Sequence, residues 1–243
     1  MKKMLFITLA TGILACCSCQ KELMNYQKND LKISITAGKH WLHDFSLFLG
    51  IKTKNAPQIA IWLEDPEGHY LSTVYVSHKA ATQSWKMADG NRRKEALPCW
   101  AYSRGVQYGD GLYLPTKNKP LTDGVSGATP KSSFNVRLHP EKTEPLERFV
   151  VKIELNHSTD FNDHYPKSAK KGEPDYSGGK LGSGQPAVVY AAAIDLTTGK
   201  NEFEATLIGH SSPDGSDGGI NPDVSTMTTA LEIAKKITIT LEK

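Results

Sequence analysis

The sequence predicts an all-β protein, an immunoglobulin-like β-sandwich of antiparallel strands with long loops and one short C-terminal helix. Short apolar segments with period-two alternation recur along the chain, and turns rich in Gly and Pro separate them. IAIWLE (59–64) and YLSTVYV (70–76) flank the turn DPEGH, which is a hairpin signal. The alternation predicts strands with one buried face and one face in water.

The other elements follow in chain order. LKISITA (31–37) alternates apolar and polar residues, and TMTTALEIAKK (226–236) has helical spacing and leads into a last strand, ITITLE. Two long polar insertions, 156–186 and 210–225, are predicted to be functional or disordered loops. The remaining predicted strands are FNVRL (134–138), RFVVKIEL (148–155), AVVYAAAIDL (187–196) and EFEATLIGH (202–210).

The N-terminus predicts a lipoprotein. Two lysines precede a short apolar run, so residues 1–16 are interpreted as a signal peptide. ILACCSC follows the lipobox pattern of a Leu or Ile three residues before a Cys, which makes Cys17 the predicted lipidation site and Cys16 a nearly equal alternative. Residues 17–30 would be the lipidated tether and 31–243 a single β-sandwich domain. We expect a cell-envelope protein, periplasmic or anchored to the outer membrane through its lipid.

Charge and cysteine content restrict the partners. Cleavage before Cys17 removes two lysines and no acid, which lowers the formal net charge from +3 to +1. This balance gives no basis for nucleic-acid binding. Cys19 and Cys99 would remain beside Cys17, so a Cys19–Cys99 disulfide and a lone buried Cys99 are both open, with the lone cysteine favoured.

The loop DGVSGAT (123–129) resembles the flavinylation motif of covalent-FMN domains. That resemblance implies an FMN phosphate joined to the Thr129 hydroxyl as a phosphodiester. An ordinary tight loop is the alternative, because Asp-Gly and Ser-Gly are turn dipeptides. Lys131 stands where such domains carry a second Ser or Thr, and no apolar bed for the flavin ring is evident after the motif. The fixed positions of the motif are Asp123, Ser126, Gly127, Ala128 and Thr129.

Residues 55–210 contain an ordered series of motifs, IAIWLEDPEGHYLSTVYVS (59–77), RRKEALPCWAYSRG (92–105), DGVSGATP (123–130), RFVVKIELNHSTDFNDHYP (148–166) and GSGQPAVVYAAAIDL (182–196). This series resembles an uncharacterised periplasmic family, domain of unknown function 2271. The resemblance implies a secreted, sandwich-like protein without established activity, in envelope redox settings beside covalent-flavin and membrane-reductase proteins, one of which would be its partner. NVRLHPEKTEP replaces the aromatic-Gly-Asp return of many members.

Both long loops carry metal-type ligands. In the first loop, imidazole and carboxylate groups suit zinc, copper or iron, and a solvated loop is the alternative. In the second, oxygen ligands on a Gly-rich loop suit calcium, and Asx turns are the alternative. The candidates are His157, Asp160, Asp163 and His164 for the first metal, and Asp214, Asp217, Asn221 and Asp223 for calcium.

No catalytic constellation is readable. GSGQPA (182–187) precedes a strand-like segment and not a helix, which excludes a dinucleotide fingerprint, and G-x-S-x-G is absent. Arg92 and Arg93 are either a phosphate grip or a solvated basic turn. The predicted function is therefore a non-catalytic accessory or binding lipoprotein in extracytoplasmic redox or metal handling. The alternative is an extracytoplasmic electron carrier with FMN on Thr129.

Overall fold

A computed structural model describes residues 26–46, 52–85, 92–121, 126–127, 129–140 and 146–242. It confirms a mostly β, sandwich-like protein in which antiparallel sheets pack together and helices are few and short. The strands are β1 (Tyr26–Ala37), β2 (His43–Ser46), β3 (Lys52–Asn55), β4 (Gln58–Glu64), β5 (Tyr70–Ser77), β6 (Ser126–Gly127), β7 (Phe134–Pro140), β8 (Arg148–Asn156), β9 (Val188–Asp195), β10 (Glu202–Glu204), β11 (Thr206–His210) and β12 (Ala234–Glu242).

Two main sheets and one hairpin contain these strands. The smaller sheet has the order β10-β12-β1-β7, and the larger has the order β11-β9-β8-β4-β5-β6. All pairings in both are antiparallel except that of the two-residue β6, which runs parallel to the end of β5. β2 and β3 form the separate hairpin. The predicted hairpin across DPEGH is β4–β5.

The main core lies between the two sheets. Ile33 and Ile35 of β1 belong to one buried apolar cluster with Ile61 of β4 and Ile153 of β8. The β1 side chains alternate between buried and partly exposed from Leu31 to Ile35, as the period of a half-buried strand requires. Burying a large apolar side chain of this kind contributes about 1.5–3 kcal/mol to folding.

A second apolar layer covers the outer face of the larger sheet, contrary to the expectation of one wet face per strand. Helices α1 (His78–Thr82) and α2 (Pro98–Ser103) contribute to it, and Trp62 of β4 packs in the same buried cluster as Trp100 of α2. Every residue of β4 is therefore buried. Among the described residues, none of the helices is long and apolar enough to cross a membrane.

A buried carboxylate fixes α2 to the sheet. The Glu154 side chain of β8 is fully buried and accepts hydrogen bonds from the backbone N–H groups of Cys99 (3.2 Å) and Trp100 (2.9 Å). These N–H groups have no partner within the helix, because they lie in its first turn. Burial raises the pKa of Glu154 to about 8. Cys99 is a free, buried cysteine, which agrees with the favoured prediction of a lone thiol.

The C-terminal segment is less helical than its spacing predicts. A single 3-10 turn spans Thr229–Glu232, and β12 already begins at Ala234. Register with β1 decides this, because Ile237 and Ile239 pair with Ile35 and Ile33 and complete the core. Two further 3-10 turns lie at Gly179–Leu181 and Leu196–Thr198.

Candidate functional site

The flavinylation-like motif lies at the edge of the larger sheet. Ser126 and Gly127 form β6, paired in parallel with Val76 and Ser77. Thr129 is partly exposed and leads towards β7. Asp123 and Ala128 lie outside the described residues. The flavin prediction therefore stays a prediction, with its acceptor residue at the protein surface.

A row of aromatic rings borders this motif. The Tyr75 hydroxyl donates to the Gly127 carbonyl at 3.4 Å, and its ring lies 5.5 Å from that of Phe134. The Phe134 ring lies 6.1 Å from the ring of Trp41, whose indole N–H donates to the Pro130 carbonyl at 3.1 Å. A Cβ at Gly127 would lie 2.8 Å from the Tyr75 ring, so the close approach requires glycine. Sequence reading missed this aromatic row, in which Trp41 is buried and Tyr75 and Phe134 are partly exposed, because its rings come from three distant segments.

The first long loop, 157–187, is anchored by a buried polar network. Arg93 is 3 % exposed, and its guanidinium donates to the Glu95 carboxylate at 2.9 Å and to the hydroxyls of Ser158 and Ser183. Ser183 in turn donates to the Asn156 side chain at 2.8 Å. The Arg93 guanidinium also lies over the Trp85 ring, 4.7 Å from its centroid. Arg93 is thus a structural anchor inside the protein and not a surface grip for phosphate.

The predicted ligands His157 and Asp160 lie in a second buried cluster below the same loop. His157 Nε2 donates to the His40 carbonyl at 2.8 Å, and burial lowers the pKa of His157 to about 4. Asp160 Oδ1 accepts from the Thr229 hydroxyl at 2.6 Å and lies 3.7 Å from His43 Nδ1. The other oxygen of Asp160 is buried and has no hydrogen-bond partner within the part of the chain that the structure describes. This cluster joins the loop to β2 and to the 3-10 turn before β12.

His164 does not join that cluster. Its side chain is exposed, lies edge-on to the Tyr165 ring at 4.9 Å, and faces a cleft together with the neighbouring Asp163. Among the described residues, no three His, Cys, Asp or Glu side chains are arranged to hold a metal ion. No preformed cluster of metal ligands among the described residues supports the metal prediction for either loop, so both stay predictions.

The predicted calcium ligands form a chain of Asx turns. Asp214, Asp217, Asn221 and Asp223 each accept a hydrogen bond from the backbone N–H two residues further on, at 2.8–3.0 Å. Hydrogen bonds from Ser225 lower the pKa of Asp223. This local bonding accounts for the spacing of these residues without an ion.

The two long loops meet in space and form two clefts. The histidine cleft, of about 540 Å³, is lined by Asp163, His164 and Asp175 of the first loop and by His210 and Asn221 of the second. His210 is nearly buried, and its Nδ1 donates to the Ser211 carbonyl at 2.7 Å, which leaves Nε2 as the basic nitrogen.

The cationic cleft, of about 280 Å³, lies where the first loop meets the segment 92–95. Its charged lining includes Arg92, Lys94, Lys171 and Asp214, and Lys94 Nζ lies 3.3 Å from Asp214 Oδ2. Neither Lys171 nor His210 was a sequence candidate. The only signal for them is that each lies in or next to a long polar loop.

A scan against protein-family models found no match for this chain, and searches of curated proteins and of solved structures found none either. The site is therefore interpreted from its own geometry. The structure brings the two predicted loops together and separates them from the flavinylation-like motif, which occupies its own sheet edge.

Proposed function

We propose that the protein is an envelope-anchored, non-catalytic binding or accessory lipoprotein in extracytoplasmic redox or metal handling. One observation carries this proposal: two loops distant in sequence meet in preformed clefts, and the first is held by the buried Arg93 and Asp160 networks. Preformed concave surfaces with a few polar groups are typical of ligand-binding sites. The lipobox at Cys17 or Cys16 supports the anchor.

The finer fold assignment belongs to the same proposal. We regard residues 31–243 as a single immunoglobulin-like domain of the family with unknown function 2271, on a tether formed by residues 17–30. Two packed antiparallel sheets and the ordered motifs support this assignment. The proposed partners are the membrane, reached through the lipid, and an envelope redox protein.

Lipid labelling tests the anchor. Cells expressing the full chain are fed a clickable fatty acid, and the purified protein is examined for label. We expect label in the wild-type chain, its loss in Cys17→Ala, and its retention in the matched control Cys19→Ala. Loss in Cys16→Ala instead would move the site by one residue. Label that persists in a Cys16→Ala/Cys17→Ala variant would exclude both predicted cysteines, and a wild-type chain without label would overturn the lipoprotein assignment.

A thermal-shift panel tests the binding role. The mature protein is melted with Zn²⁺, Cu²⁺, Ca²⁺, FMN and phosphate compounds, one at a time. A ligand that binds the folded state at a hundredfold excess over its Kd stabilises by about 2.7 kcal/mol, which is a readily measured rise in Tm. No shift with any member at millimolar concentration would contradict a role in small-ligand handling.

A second function, electron transfer by covalent FMN, is favoured by the surroundings of Thr129. The residue is partly exposed, and the partly exposed rings of Tyr75 and Phe134 lie beside its segment, whereas Trp41 is buried. A flavin transferase would join the Thr129 oxygen to the FMN phosphate of a flavin dinucleotide, with AMP leaving and the hydroxyl proton passing to a base. Aromatic rings are suitable surfaces for packing the flavin.

In-gel fluorescence tests this second function. The protein is coexpressed with a flavin transferase and a carrier of known motif, and a denaturing gel is viewed under blue light. A fluorescent band in the wild-type chain and in the control Ser132→Ala, absent in Thr129→Ala, would support the carrier. A dark wild-type band beside a fluorescent control carrier would reject it and leave the binding role untouched.

A further inference from the structure

The charge of the cationic cleft is not balanced within its own lining. Arg93 pairs with Glu95 at 2.9 Å, and Lys94 with Asp214 at 3.3 Å. Arg92 and Lys171 are the two further cations of the lining. Lys171 is exposed and has no hydrogen bond or ion pair with any residue that the structure describes.

Arg92 is held in place but is not fully satisfied. Its guanidinium pairs with Asp110, which is outside the lining, and donates to the Leu114 carbonyl at 2.9 Å. Its Nε atom is buried and has no hydrogen-bond partner among the described residues. Among the described residues, even when Asp110 is counted, positive charges outnumber negative ones around the cleft by one.

One wall of the cleft is tightly packed. Glu95 is buried, and Gly178, at φ +91°, brings its backbone so close that a Cβ there would lie 2.5 Å from the Glu95 carboxylate. Tyr176, Leu112 and Leu181 add an aromatic and two apolar side chains to the lining. A cleft of this composition suits a ligand with one charged end and one apolar end.

We propose that the cationic cleft binds a small phosphate monoester with an apolar body, the phosphate held by Lys171, Lys94 and Arg92. This inference rests on the binding function proposed above and names its ligand class. A phosphate monoester carries a charge of about −1.5 to −2 at neutral pH and three acceptor oxygens. It therefore matches three cations around one cleft better than a ligand with a single carboxylate does. The Lys94–Asp214 pair is more than a third exposed on both sides, so Lys94 can turn to the ligand at little cost.

Calorimetric titration of the mature protein with phenyl phosphate tests the proposal, with benzoate, inorganic phosphate and benzylamine as comparison probes. We expect phenyl phosphate to bind more tightly than benzoate or inorganic phosphate, benzylamine not to bind, and affinity to fall as salt rises. Tighter binding of benzoate would overturn the phosphate assignment. Binding of benzylamine alone would overturn the anion site.

Variants place the ligand in the cleft. Lys171→Gln should weaken phenyl phosphate binding by about tenfold, which corresponds to about 1.4 kcal/mol. Lys94→Gln should also weaken it, whereas Lys167→Gln, an exposed lysine of the same loop outside the lining, should not. Equal affinity in the wild-type and Lys171→Gln proteins would overturn the site.

Two further comparisons identify the source of the phosphate and distinguish failure of this inference from failure of the proposed function. Flotation with vesicles that contain phosphatidic acid, a lipid phosphate monoester, would identify a lipid phosphate as the source if it depends on Lys171, and flotation independent of Lys171 would leave the soluble ester. Lipid labelling and a thermal shift with another ligand, without phenyl phosphate binding, would overturn the phosphate inference alone. If the chain takes no lipid label and no ligand shifts its Tm, the proposed function itself would be overturned.

Discussion

Replacing Arg93 should cost far more stability than replacing an exposed arginine with a similar ion pair. In Arg93→Met the Glu95 carboxylate, 6 % exposed, would lose its 2.9 Å ionic partner, and the Ser158 and Ser183 hydroxyls would lose the guanidinium N–H groups that donate to them. Removing one member of a buried pair typically costs about 3–5 kcal/mol, because the other charge stays buried. At about 2–4 °C per kcal/mol for a chain of this size, Tm should fall by roughly 6–20 °C.

Arg148→Met is the matched control. Arg148 Nε lies 3.0 Å from Asp195 Oδ2, nearly the same distance, but its side chain is 65 % exposed. An exposed pair contributes about 0–1 kcal/mol, so this variant should stay close to the wild type. The Arg93→Met/Glu95→Met double variant removes both charges and should recover much of the loss.

Urea denaturation of all four proteins gives the free energies of unfolding, and limited proteolysis within 167–180 reports whether the first loop has loosened. A cost for Arg93→Met no greater than that for Arg148→Met would refute the anchoring role. So would a double variant that is less stable than Arg93→Met, because the buried Glu95 charge would then not be the source of the loss.

Other consequences follow from burial. Folded Glu154, with its pKa raised to about 8, keeps a proton that the unfolded chain loses near pH 4.5, so its contribution to the free energy of unfolding falls as pH rises between those values. Folded His157, with its pKa lowered to about 4, resists a proton that the unfolded chain gains near pH 6.5, so its contribution falls as pH drops through that window. The two contributions oppose each other between pH 4.5 and 6.5. From pH 6.5 to 8, urea titrations of the wild-type protein should show the free energy of unfolding declining by at most about 1.4 kcal/mol per pH unit, and this decline should be absent in Glu154→Gln. An unchanged slope in that variant would contradict the assignment of the raised pKa to Glu154. Gly182→Ala would set a Cβ 1.9 Å from the Ser177 carbonyl oxygen and should lower the free energy of unfolding in urea by about 1–3 kcal/mol. The control Gly109→Ala, whose Cβ would enter open space, should lower it little. Equal losses in the two variants would argue against a tightly packed loop. Cys99 is buried with a raised pKa, so its peptide should be labelled by maleimide in urea but not in the native protein, and rapid native labelling would contradict its burial.

The strands of the sandwich were largely predictable, because alternation is a local property of the sequence. β1, β4, β5, β8 and β9 end within a few residues of the predicted segments. EFEATLIGH, predicted as one strand, is two: β10 pairs with β12 in one sheet and β11 pairs with β9 in the other. Ala205, buried between them, hydrogen-bonds to Ile237 and marks the crossing. No local pattern specifies such a crossing.

The short helix α2 was not predictable for the same reason. PCWAYS is six residues long, and its first-turn N–H groups are satisfied by Glu154, more than fifty residues away in sequence. The hairpin β2–β3 was also missed. Isolated two-stranded hairpins have weak intrinsic stability, so neighbouring structure and not local pattern determines whether such a segment forms one.

For the candidate sites too, the local features were predictable from the sequence and the spatial grouping of residues was not. Sequence reading identified both long loops, because their length and polarity are unusual for connections in a compact domain. It grouped His157, Asp160 and His164 by proximity in sequence, whereas the chain turns between them. His157 and Asp160 go into the interior, and His164 goes to the histidine cleft. Proximity along a loop does not predict a shared site unless the backbone conformation is known.

The three consecutive cations Arg92, Arg93 and Lys94 have different roles that the sequence alone does not distinguish. As a run it suits either a solvated turn or a single phosphate grip. In the structure Arg93 points inward and anchors the first loop, while Arg92 and Lys94 line the cationic cleft. The buried Arg93–Glu95 pair fixes the segment that carries its two neighbours, so the same three residues supply both the packed wall and the charge. Loss of Arg93 should therefore weaken phenyl phosphate binding as well as stability, although Arg93 needs no contact with the ligand.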